Sequence, residues 1–91
     1  MAGLTADEVF ERIEWIAYPL ESLEERRIWA EALIDQFTAD LAKADLQPGA
    51  ADKIIDQLKA RLEGAISGRA AGDSINTIFR AALGRLTGDQ G

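Results

Sequence analysis

Among its 91 residues the chain has no histidine and no cysteine, and this limits its chemistry more than any motif does. Ser-His-Asp and Cys-His catalysis both need an imidazole base, and ordinary zinc sites need imidazole or thiolate ligands. Di-iron sites built on Glu-x-x-His fall for the same reason. What survives is magnesium chemistry supported by carboxylates alone. Glu21, Glu24 and Glu25 with Asp52 and Asp56 have the oxygen donors that a hard cation takes. The same absence of cysteine removes disulfides and is consistent with a reducing compartment.

These acids loosely resemble the glutamate-rich helices of all-α nucleotide pyrophosphohydrolases, in which acidic motifs on successive helices face inward. The chain departs from that pattern. Glu21 precedes the cap expected at Ser22, and Asp52 and Asp56 flank Lys53 away from the apolar stripe. Acids at helix starts are also favoured by the helix dipole alone. No residue role is carried over, so a magnesium-dependent hydrolase stays a third reading, with no catalytic residue, metal ligand or cofactor assigned.

Two other patterns invite a ligand. Residues Ser67 to Ser74, with Gly68 and Gly72, precede a helix and could cradle an anion on backbone N–H groups. They lack the Gly-Lys-Ser/Thr ending of a phosphate loop, and Asp73 would repel phosphate; a connecting loop is the simpler reading. Arg69, Arg80 and Arg85 lie in the half of the chain that holds the last two helical segments, too few for strong phosphate neutralisation. The net charge of −6 points the same way, and direct nucleic-acid binding is not expected. Eleven acids against four bases crowd residues 1–46, whereas residues 47–91 carry five against six.

Tryptophan and tyrosine are enriched in interface hot spots, so their placement matters. Phe10, Phe37 and Phe79 fall on apolar stripes and are expected in the core. Trp15 lies about 100° from the near edge of its stripe, counting 100° per residue. Tyr18 is also off that stripe, Trp29 borders the next one, and Ile28 lies opposite it. Trp15, Tyr18, Ile28 and Trp29 are the candidate partner surface unless neighbouring helices cover them.

The elements that position these residues read from caps and periodicity. A first helix over about 6–17 starts from a Thr5/Glu8 capping box, carries Val9, Phe10, Ile13, Ile16 and Ala17 on one face, and stops before Pro19. A second, over 23–45, follows an expected Ser22/Glu25 box. Its main stripe is Leu23, Ala30, Leu33, Ile34, Phe37, Leu41 and Ala44; a weaker stripe of Ile28, Ala32, Ala39, Ala42 and Leu46 lies opposite. Two apolar faces imply a helix sandwiched in the fold or one face left for a partner. Gln47-Pro48-Gly49 interrupts the chain before a third helix over 50–67, in which Lys59 and Glu63 are spaced to pair. Gly64, Gly68 and Gly72 recur every fourth residue and imply a frayed end or, less simply, a close helix crossing. A fourth helix over 75–87 is capped by Asp73 or Ser74 and stopped at Thr87-Gly88.

The expectation is one all-α domain, a small bundle or orthogonal array of about four helices. No apolar run reaches the roughly 20 residues that span a bilayer, and Met1 to Glu8 carries no secretion signal. A cytoplasmic protein with no membrane partner is expected. The leading functional expectation is a non-enzymatic protein–protein interaction module, such as an adaptor, assembly chaperone or regulatory subunit, with self-association among its options. The alternative is an acidic inhibitor that imitates nucleic acid, such as a phage-encoded antagonist of a DNA-targeting defence. It would display Glu11, Glu14, Glu21, Glu24, Glu25 and Glu31 to a basic groove.

Overall fold

The computed structural model describes residues 5–70 and 72–88, and within them the chain forms four helices: α1 (Ala6–Ala17), α2 (Leu23–Lys43), α3 (Ala50–Ser67) and α4 (Ser74–Thr87). No strand occurs among the described residues. α1 and α4 each pack against all three other helices, most extensively α4 on α2, while α2 and α3 lie diagonally with little direct contact. The radius of gyration is 12.8 Å, close to the ~12.2 Å expected of a folded domain of this length. The small all-α bundle expected from periodicity is therefore the observed architecture.

Local signals account for most of the boundaries. The Thr5 hydroxyl accepts from the Glu8 N–H at 3.2 Å, as a cap should. The Asp73 carboxylate accepts from the Ile75 N–H at 2.9 Å and fixes the start of α4. Gly49 and Gly88 supply the left-handed backbone, at φ 84° and 73°, that begins α3 and ends α4. α2 stops at Lys43, two residues before the expected end, because Ala44 turns extended.

Two local expectations are corrected, and the two readings of the glycine series are separated in favour of the helix end. Ser22 does not cap α2 with its side chain, because it sits in the left-handed region at φ 51°. Lys59 pairs with Asp56 at 3.9 Å and not with Glu63. The glycine series lines no helix crossing. Gly64 is exposed within α3, Gly68 caps that helix, and a Cβ added at Gly64 or Gly72 would meet nothing within 4 Å. Gly64→Ala should therefore stabilise the protein by about 0.5–1 kcal/mol, by lowering unfolded-state entropy without a clash. Thermal unfolding reads this as a raised midpoint; a lowered midpoint would mean that the site is crowded.

The core runs through all four helices. Ile13, Ile34, Leu58, Leu62, Ile78 and Phe79 are fully buried. Phe10 and Phe79 lie parallel, with ring centres 5.6 Å apart. Two arginines cover this pair: Arg61 of α3 stands 4.7 Å from the Phe10 ring, and Arg69, just past the end of α3, 4.8 Å from that of Phe79. Asp7 fixes Arg61 through a 2.6 Å hydrogen bond from Nη1. Across the other side, Arg85 of α4 donates twice to Asp35 of α2, each bond 2.8 Å. That hydrogen bonding, more than the charge, holds the Asp35 carboxyl below the ordinary aspartate range.

The weaker stripe of α2 is not sandwiched. Ile28, Ala32, Ala39, Ala42 and Leu46 are all exposed.

Candidate functional site

The connection from α1 to α2 is strained. Leu20 and Ser22 both have positive φ, 58° and 51°, and each left-handed non-glycine residue costs about 1–2 kcal/mol. Arg26 compensates by donating from Nε to the Glu21 carbonyl at 2.8 Å and from Nη1 to the Ile16 carbonyl at 3.0 Å. One guanidinium thus ties the end of α1 to the start of α2. It also stands 5.3 Å from the Trp29 ring centre.

This turn orients the aromatic surface. Trp15 lies on the side of α1 opposite Val9, Phe10, Ile13 and Ala17 and is 75% exposed. Tyr18, at the C-cap of α1, is 49% exposed. Its hydroxyl accepts from Arg69 Nη2 at 2.9 Å, and the same guanidinium lies 5.9 Å from its ring centre. Trp15 and Tyr18 with Glu14 and Pro19 line a shallow depression of about 460 Å³. Leu20, half exposed, extends the apolar character of the same turn.

Of the four residues expected to form a partner surface, the structure brings Trp15 and Tyr18 into one depression. Trp29 is exposed and connects to the same turn through Arg26. Ile28 is exposed on the back of α2, in the second stripe, and lines no part of the depression. The parts that Pro19, Leu20, Arg26 and Arg69 play at this surface arise from contacts between elements, and no local pattern marks them.

The six acids of the alternative surface are unequally available. Glu21 lies 3.7 Å from Arg26, and Arg27 pairs with Glu24 and, at 2.9 Å, with Glu31. Hydrogen bonding to Arg27, assisted by its charge, holds the Glu24 carboxyl below the ordinary range. Glu11 and Glu25 are exposed, and neither they nor Glu14 form an ion pair among the described residues.

The remaining chemistry meets geometric obstacles. Glu21, Glu24 and Glu25 belong to the start of α2 and Asp52 and Asp56 to α3, the two helices that scarcely touch. No group of three or more potential ligands among the described residues is placed to hold a metal ion. The N-terminus of α4 is occupied by its own Asp73 carboxylate. Arg69 is folded onto Tyr18 and Phe79, and Arg85 is held by Asp35. A second depression, lined by Asp7, Gln57, Ala60 and Arg61, has its two charges already bonded to each other. No helix among the described residues is long and apolar enough to cross a membrane.

Comparison of the chain with protein-family models, with curated proteins and with solved structures gives no match.

Proposed function

We propose that this chain is a protein–protein interaction module without catalytic activity of its own, docking its partner through the surface centred on Trp15 and Tyr18. One observation carries the reading. The fold buries all three phenylalanines, Phe10 at 7%, Phe37 at 2% and Phe79 at 0% exposure, yet leaves Trp15 at 75% and Trp29 at 47%. Large rings kept in water while smaller ones close the core are what an interface anchor requires. An adaptor, an assembly chaperone or a regulatory subunit working in the cytoplasm fits this description.

The acidic-inhibitor reading rests on weaker ground. Glu21, Glu24 and Glu31 already face arginines of the same chain, which reduces the charge available to a basic groove. With Arg69 and Arg85 also engaged internally, direct nucleic-acid binding has little support.

The two readings separate in one experiment. Association is measured by calorimetry, or by sedimentation for self-association, across a salt series. Trp15→Ala or Trp29→Ala should weaken binding by about 2 kcal/mol or more with the fold intact, and the part of the binding carried by the rings should persist at high salt. Complete loss on reversing Glu11, Glu14 and Glu24 to lysine, with both tryptophan variants tolerated, would replace this reading with acid display.

A further inference from the structure

We infer that the depression at the C-terminal end of α1 receives an arginine or lysine side chain presented by the partner protein. This rests on the docking reading above and adds the chemistry of what docks. Glu11, Glu14, Trp15 and Tyr18 are spaced i, i+3, i+4 and i+7, which places them on one strip of α1. Glu14 lines the depression together with Trp15, Tyr18 and Pro19. The Glu14 carboxylate beside the exposed Trp15 ring suits a guanidinium or ammonium, which is attracted by the ring quadrupole and by the charge together.

α1 ends with no basic residue in its last turn, and the partial negative charge at that terminus is offset only from outside, by Arg26 on the Ile16 carbonyl. Two cations of other segments stand nearby, and both are engaged. Arg26 serves the Ile16 and Glu21 carbonyls and Trp29. Arg69 serves the Ala65 carbonyl, the Tyr18 hydroxyl and ring, and the Phe79 ring. Arg12 lies on α1 three residues before Trp15 and flanks it on the side away from Glu14.

Charge also decides against a second copy as the occupant. A two-fold contact through Trp15 places each patch on its own equivalent. Glu11 and Glu14 of both copies would then crowd into one contact area, in a chain already at −6.

The test uses the whole chain unaltered, with binding read by calorimetry and tryptophan emission as a second signal. The probes are a short amphipathic peptide of leucine and arginine and its counterpart with glutamate in place of arginine. The arginine peptide should shift the tryptophan emission and bind at least about tenfold more tightly than the glutamate peptide. Glu11→Lys with Glu14→Lys should weaken it by about tenfold or more. Asp45→Lys with Glu63→Lys makes the same change in net charge outside the depression, and should weaken binding by less than about threefold. No binding of the arginine peptide, or equal loss in the two charge variants, overturns the inference. Equal binding of both peptides, lost in Trp15→Ala, overturns the cation assignment and leaves the docking surface standing. Binding of the arginine peptide unchanged by Trp15→Ala overturns both. A concentration-dependent dimer on sedimentation that Trp15→Ala abolishes assigns the face to a second copy instead.

Discussion

Phe79→Ala should destabilise the protein by about 3–5 kcal/mol in denaturant unfolding. Phe79 is fully buried, lies parallel to Phe10 and is covered by the Arg69 guanidinium. Its helix, α4, packs against all three others, so no single element can move in to fill the cavity without losing contacts elsewhere. The loss also uncovers Arg69, which otherwise bridges Phe79 and Tyr18. Domains of this size have about 5–15 kcal/mol of stability in total, so the variant should be marginal at room temperature. A loss below about 1 kcal/mol would mean that the helices do not converge on this ring.

Asn76→Asp should cost about 3 kcal/mol or more at neutral pH, despite being nearly isosteric. Asn76 is 1% exposed, and its Nδ2 donates to the Ala70 carbonyl at 3.1 Å. Its Oδ1 has no hydrogen-bond donor among the described residues. An ionised carboxylate there loses the one donor, faces the Ala70 carbonyl as a second acceptor, and has the Asp73 carboxylate three residues away. The N-terminal dipole of α4 favours an anion by at most about 2 kcal/mol; desolvation of a buried charge, several kcal/mol, outweighs it. The carboxyl should therefore resist ionisation in the folded state, with its pKa raised. For an acid with a raised folded pKa, the penalty is absent below the unfolded value, near pH 4, and grows as pH rises above it. Stability curves of the variant and wild type should converge in acid. A parallel offset at every pH would show that the loss is one of packing and not of charge.

The helices were legible because their signals are local. Thr5 with Glu8, the Pro48-Gly49 break and the spacing of Ala30, Ile34, Phe37 and Leu41 each act over short stretches of chain. The exposure of Trp15 was legible as well, since its angle from Val9, Phe10 and Ile13 follows from helix geometry alone. The turn was not. Pro19-Leu20-Glu21-Ser22 contains no glycine or asparagine to announce two left-handed residues, and Ser22 reads as a cap by type. The packing of Arg26 and Arg69 is illegible for a related reason: charged residues are ordinarily placed in solvent. Arg69 instead reaches Tyr18, 51 positions away. The separation of Ile28 from the Trp15 depression likewise depends on how α1 and α2 cross, which no single-helix pattern contains.

The central claim is that Trp15 belongs to a binding surface and not to the fold, and the unfolding free energy of Trp15→Ala tests it most directly. Phe37→Ala is the comparison, since Phe37 is 2% exposed against 75% for Trp15. The account predicts a change of about 0.5 kcal/mol or less for Trp15→Ala, beside a loss of about 3–5 kcal/mol for Phe37→Ala. A loss of about 2 kcal/mol or more for Trp15→Ala would make the ring a structural element and contradict the account.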